Sequence, residues 1–155
     1  MSYYIEARDR DLYEAYRRAW ANGAKTHDQA IEIARNSPPR QLYVSEYYIY
    51  KIILAKRRGI PFQNKKHHKV RHELYTHIVE EYERLKDKPM FNVMYISEII
   101  NYIVSRPPKA FYLSQYTATR IIRNFRRKHG MPIKDTTPKR LRQQEDTKSD
   151  DDEQT

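Results

Sequence analysis

Apolar residues recur three and four positions apart in six stretches of this chain, and each stretch is followed by a glycine or a proline. That spacing lines one face of a helix. Leu12, Tyr13, Tyr16, Ala19 and Trp20 predict a helix over 9–22, stopped at Gly23. Asp28 is the expected N-cap of a short helix carrying Ala30, Ile31 and Ala34, which Pro38 and Pro39 end. Ser45 is the expected cap of a third helix reaching about Arg58, with Ile49, Ile52, Ile53 and the aliphatic stem of Lys56 inward. The order then restarts. Val70, Leu74, Ile78, Tyr82 and Leu85 form a stripe, Ser97 stands where Asp28 stood, and Ile99, Ile100, Ile103 and Val104 follow. Ser114 caps a last helix with Ala118, Ile121, Ile122 and Phe125 inward.

The restart is a true internal repeat. Residues 38–58, PPRQLYVSEYYIYKIILAKRR, superpose without a gap on 107–127, PPKAFYLSQYTATRIIRNFRR, with nine of 21 positions identical. The identities are the proline pair, Tyr43/Tyr112, Ser45/Ser114, Tyr47/Tyr116, two isoleucines, Arg57/Arg126 and Arg58/Arg127. An all-α protein of two related three-helix units in tandem is the economical reading. The expected divisions are a first unit at 1–59, a linker at 60–67, a second unit at 68–130 and a tail at 131–155. Seven extra residues in the second copy fall around DKPMFN, in a connection, where insertion costs little closure entropy. The tail lacks periodicity, runs basic and then acidic, and is expected to be a disordered, solubilising end.

Charge narrows the class of partner. Residues 1–142 carry 29 basic and 14 acidic groups and the last 13 residues carry 1 and 6, so a body at +15 precedes a tail at −5. Such a body points first to nucleic acid, because each cation placed on a phosphate releases condensed counterions. The chain has no cysteine, which excludes disulfides and thiolate metal sites. It has no long apolar run and no secretory signal core at MSYYIEARDRD, so a cytoplasmic or nucleoid-associated protein is expected, without a membrane partner. Three glycines disfavour glycine-rich phosphate loops.

The outward face of the repeated helix holds Glu46, Tyr47, Tyr50, Lys51, Leu54 and Arg57 in one copy and Gln115, Tyr116, Thr119, Arg120, Arg123 and Arg126 in the other. A short helix, a connection and a capped basic helix together resemble the helix-turn-helix class of DNA-binding proteins, here in tandem. The seven or eight residues between the two helices exceed the 3 or 4 of that motif, so the resemblance covers helix order and charge, not a signature. It implies base reading by Glu46, Tyr47, Tyr50, Lys51, Gln115, Tyr116, Thr119, Arg120 and Arg123. It implies phosphate contact by Arg57, Arg58, Lys65, Lys66, Arg126, Arg127 and Lys128. A regulatory, packaging or recombination-accessory role in DNA binding follows.

Competing readings share the same residues. Charged helix faces are commonly only solvated, and 14 tyrosines suit a protein-interaction adaptor or an RNA-binding surface as well. Tyr43 and Tyr112 are expected to pack on the bundle, with base stacking as the alternative. HELYTH is one residue too long for a zinc-protease helix: His72 and His77 lie roughly 140° apart around a helix and cannot chelate one ion as an i, i+4 pair does. His68 and His72 have the i, i+4 spacing but extend a basic run with Lys65, Lys66, Lys69 and Arg71. No nucleophile, base and orienter stand together, and Glu80, Glu81 and Glu83 read as partners of Arg84 and nearby lysines. No cofactor, metal or catalytic residue is expected.

Overall fold

A computed structural model describes residues 3–61, 69–88 and 95–131, and within them the chain is six α-helices without a strand. They are α1 (Tyr3–Ala21), α2 (His27–Arg35), α3 (Glu46–Arg57), α4 (Lys69–Lys86), α5 (Ile96–Ser105) and α6 (Gln115–Lys128). The six apolar stripes therefore each form the helix they predict. α1 starts six residues before the expected Asp9, because YYIEAR contains no breaker and places Glu6 in the first turn. Residues 62–67 of the expected linker, most of the insertion around DKPMFN and the tail beyond Met131 lie outside the described residues.

Two caps match the sequence and two move. Ser45 Oγ accepts from the Tyr48 N–H and Ser114 Oγ from the Thr117 N–H, both at 3.1 Å. The same side chain thus fixes the start of the same helix in both copies. α2 is capped by Thr26, whose Oγ1 accepts from the Gln29 N–H at 3.1 Å, and not by Asp28. Gln29 reaches back to accept from the Lys25 N–H at 2.7 Å, so threonine and glutamine tie down the entry reciprocally. Asp28 falls in the first turn, where its charge suits the helix dipole. α5 begins at Ile96, with Tyr95 in the cap position, which places Ser97 inside the helix. α3 and α6 end at Gly59 and Gly130, which take φ values of 70° and 68°.

The three-helix groups are not the two halves of the chain. One unit contains α1, α2 and α6, the other α3, α4 and α5, and the chain parts between Ser37 and Pro38 and again between Tyr112 and Leu113. Each third helix thus completes the pair of helices belonging to the other repeat, in place of the tandem units expected at 1–59 and 68–130. The proline pairs give a physical reason. Pro38-Pro39 fixes two φ angles and keeps the residues before it extended, so the connection opens as a stiff arm that resists reversing onto α2. The cores permit the exchange because Ile52 and Ile53 of α3 correspond to Ile121 and Ile122 of α6 and all four are buried.

Within the first unit the core is aromatic. Leu12, Tyr13, Tyr16, Ala19 and Trp20 of α1 meet Ala30, Ile31 and Ala34 of α2 and Ala118, Ile122 and Phe125 of α6. Tyr13 stacks on Phe125 at 4.9 Å and 26°. Within the second unit the core is aliphatic: Leu42, Ile49, Ile52, Ile53, Leu74, Ile78, Leu85, Ile99, Ile100 and Ile103 surround Tyr82. The Leu42 N–H donates to the Val104 carbonyl at 3.0 Å, fixing the 38–44 arm to the end of α5. Lys56, expected inward, is exposed, whereas its counterpart Phe125 is buried.

A double-mutant cycle on the Tyr13–Phe125 pair tests the grouping. Tyr13→Leu and Phe125→Leu, singly and together, should show a coupling of about 0.5–1.5 kcal/mol in urea unfolding, typical of a stacked pair. A tandem grouping with α6 on α4 and α5 requires none.

Candidate nucleic-acid interface

α3 and α6 position the proposed reading residues because their caps and isoleucines fix which side faces the core. On α3, Glu46, Tyr47, Tyr50 and Lys51 are exposed, with Tyr47 at 68%. Lys51 Nζ lies 5.4 Å from the centre of the Tyr47 ring, one turn before it, where cation and ring attract. Arg58, just beyond the helix, is exposed. On α6, Tyr116 is 77% exposed, Arg120, Arg127 and Lys128 are exposed, and Arg123 is half-buried. α6 contains no acidic residue along its 14 positions. Lys128 Nζ lies 3.9 Å from Glu6, and both side chains are largely exposed.

Several expected site residues are committed elsewhere. Gln115 Oε1 accepts from Arg35 Nε at 2.9 Å, and its Nε2 donates to the Asp28 carbonyl at 3.0 Å. Arg35 also donates to the Leu113 carbonyl at 3.2 Å, so Gln115 joins α6 to both ends of α2 and is not free to read a base. The Thr119 hydroxyl donates to the Gln115 carbonyl at 2.8 Å, which turns it toward its own helix. Lys65 and Lys66, expected on phosphate, lie outside the described residues.

Arg126 is the clearest correction: expected on phosphate, it is 1% exposed, and its Nη1 donates to Tyr16 Oη at 3.4 Å. Tyr16 Oη also lies 2.8 Å from His27 Nδ1, so the guanidinium belongs to a buried polar cluster. Asp11, on α1, is the other buried charged residue among those described. The repeat counterpart, Arg57, is exposed but makes the same kind of contact. Arg57 Nε donates to Tyr82 Oη at 2.7 Å and its guanidinium lies over that ring at 5.5 Å. Each arginine sits four residues after a core isoleucine, at Ile53–Arg57 and Ile122–Arg126, so each extends an i, i+4 row that starts in the core and ends buried at Arg126 and exposed at Arg57. That row was present in the sequence; charge alone suggested the outward face. The identity Arg57/Arg126 therefore serves the fold, one arginine clamping one tyrosine hydroxyl in each unit.

On α4 the acidic cluster is partly neutralised. Arg84 Nε and Glu81 Oε2 are 3.1 Å apart, Lys86 Nζ and Glu83 Oε2 2.7 Å, and Arg106 approaches Glu81 at 3.7 Å. Burial pushes the Glu81 carboxyl up, but the hydrogen bond and charge of Arg84, with Arg106 and His77, hold it below the usual carboxylate range. Among the described residues no three histidines or carboxylates are grouped to hold a metal ion, and no helix is long and apolar enough to cross a membrane. Comparison with protein-family models, with curated proteins and with solved structures finds no match to this chain.

Arg126→Ala should lower unfolding free energy by about 3–5 kcal/mol, because truncating a buried charged partner leaves polar groups uncompensated. Arg127→Ala, one residue on and exposed, should leave the urea midpoint almost unchanged. Equal effects at the two positions would place Arg126 at the surface.

Proposed function

We propose that this chain is a non-enzymatic nucleic-acid-binding protein that engages double-stranded DNA through the outward faces of α3 and α6. The observation that carries the reading is one pattern occurring in both units. An exposed tyrosine at the second helical position, Tyr47 or Tyr116, is followed four residues later by an exposed cation, Lys51 or Arg120. Another exposed cation, Arg58 or Arg127, follows seven residues beyond that. A helix that offers its N-terminal residues outward with cations along the same side is what a major groove accommodates. Tyr47 and Tyr116 present a ring and a hydroxyl at the first turn, suited to a base edge or a phosphate oxygen.

The two faces differ in kind. α3 offers Glu46, Tyr47, Tyr50 and Lys51, with mixed charge; α6 offers Tyr116, Arg120 and Arg123 and is wholly cationic. Glutamate can accept from a cytosine amino group, and arginine can grip guanine. The half-sites read by the two helices therefore differ in sequence. The phosphate contacts come from Arg58, Arg127 and Lys128, with Arg126 buried and the exposed Arg57 engaged by the Tyr82 hydroxyl.

Titration with random duplex DNA at two salt concentrations tests the reading. Micromolar or tighter binding with a steep negative salt slope is expected, and Arg120→Ala with Arg127→Ala should flatten that slope by about two units. Both side chains are exposed, so the thermal midpoint should stay within a few degrees, about what surface substitutions cause. Absence of duplex binding at low salt would remove the proposal, and binding confined to single-stranded RNA would replace its ligand.

A further inference from the structure

A pocket of about 290 Å³ opens on the second unit, and no residue of α3 lines it. His72, Glu73, Thr76, His77 and Glu80 of α4 line one side, and Lys109, Ala110 and Tyr112 of the arm before α6 line the other. Its size is at the lower end of ligand pockets, roughly 300–1,000 Å³, and suits a molecule no larger than a nucleotide base with part of its sugar.

Three observations make this more than a surface dent. Tyr112 has φ of 58°, and among the described residues no other non-glycine residue has a positive φ. The surrounding structure holds that backbone against its preference, and in doing so keeps the ring against His77, with centroids 5.5 Å apart at 36°. Second, Glu73, Glu80 and Lys109 make no ion pair with another described residue, in contrast to Glu81 and Glu83 on the same helix. Third, two imidazoles and one carboxylate of the lining belong to one copy, whereas Glu73, Lys109 and Tyr112 have the counterparts Asp11, Arg40 and Tyr43. Arg10, Ala15 and Arg18 stand in the first repeat where His72, His77 and Glu80 stand in the second, although both repeats share their core pattern.

The wall has a definite character at neutral pH. Burial holds His77 below its ordinary value, with Lys109 and Arg106 acting in the same direction and Glu81 and Glu80 opposing. Burial and the carboxylates of Glu73, Glu80 and Glu81 push the Tyr112 hydroxyl up. His77 is thus a neutral flat ring and Tyr112 a protonated donor, two aromatic surfaces on which a base can stack. Glu73 and Glu80 are acceptors suited to an amino group and repel a phosphate, whereas Lys109 attracts one. These preferences fix an orientation, base inward and phosphate toward the lysine.

We propose that this pocket takes a single nucleotide whose base carries an exocyclic amino group, with the ring against Tyr112 and His77, the amino group on Glu73 or Glu80 and the phosphate on Lys109. The site goes beyond duplex engagement by α3 and α6, since a mononucleotide can occupy it whether or not those helices bind DNA.

NMR titration of the full chain with CMP, GMP and UMP, following the His77 and Tyr112 ring resonances, tests this. CMP or GMP should saturate with a Kd near or below about 1 mM, and UMP, which presents a carbonyl in place of the amino group, should bind at least about tenfold more weakly. Glu73→Gln with Glu80→Gln, both at exposed positions of α4, should abolish the preference for CMP over UMP. Lys109→Met should weaken CMP more than cytidine. Equal affinity for CMP and UMP, no saturable shift by 10 mM, the upper end of about ten times the expected Kd, or unchanged preference in the double variant overturns the site. Arg120→Ala with Arg127→Ala separates the two proposals: it should weaken duplex binding, with the flatter salt slope, and leave CMP affinity unchanged. A parallel loss of CMP binding would mean that one surface accounts for both.

Discussion

Each three-helix group closes on the same small seam, a pair of adjacent isoleucines and an arginine four residues past the second of them. Ile52, Ile53 and Arg57 provide it on α3, and Ile121, Ile122 and Arg126 on α6. The isoleucines remove apolar area from water at roughly 25 cal/mol per Å², but burial alone has no direction and does not set the rotation of a helix. The arginine does. Its guanidinium donates to a tyrosine hydroxyl, Tyr82 in one group and Tyr16 in the other. That contact orients the helix about its axis, and the orientation decides which side chains are left outside. The outward positions of Tyr47, Lys51, Tyr116 and Arg120 depend on this inward clamp.

The two groups realise the seam with unequal depth. In the aromatic group the arginine is enclosed and Tyr16 also meets the half-buried His27 at 2.8 Å, so charge, hydroxyl and imidazole form one cluster. In the aliphatic group Arg57 stays near the surface and covers the Tyr82 ring. A buried charge without its partner is strongly unfavourable, whereas an exposed one is screened. Sequence drift at α6 is therefore constrained by its own interior, and α3 has more latitude. Lys56 against Phe125 is an instance: one position, exposed on α3 and buried on α6.

Helix content was legible because the evidence for a helix is local. Period, cap and stop lie within about 15 residues, and Ser45, Ser114, Gly59 and Gly130 carry them directly. Two caps moved: Thr26 outcompeted Asp28 because Gln29 completed a reciprocal pair with it, and α5 starts after Tyr95 without a side-chain cap, which leaves Ser97 inside the helix. The grouping was not legible, and the repeat itself is the reason. When two helices carry the same isoleucines at the same positions, the pattern states what is buried and is silent on whose partner it meets. Arg126 and Gln115 were misread for a related reason: charge and polarity were taken as signs of exposure, although an arginine in step with a core row and a glutamine beside a helix end have partners within reach. The pocket at Tyr112 had a sequence signal of its own, the replacement of Arg10, Ala15 and Arg18 by His72, His77 and Glu80. That signal becomes meaningful only once the arm bearing Lys109 is known to lie along α4.

A duplicated scaffold holds its fold-determining positions constant and lets the remainder diverge, so the differences between copies locate the chemistry better than the likenesses do. Proline pairs, caps, isoleucines and the clamping arginine are common to both copies and account for the exchanged architecture. Besides the cores, what differs includes the outward residues of α3 and α6 and the side of α4 that faces the arm. The first difference is one of charge, mixed on α3 and purely cationic on α6. The second replaces two arginines and an alanine by two imidazoles and a carboxylate, within a body whose net charge is strongly positive. A carboxylate without an ion-pair partner among the described residues is, in such a surrounding, stabilised by the long-range field. Its local free energy is lowest when a neutral donor, and not a phosphate, approaches.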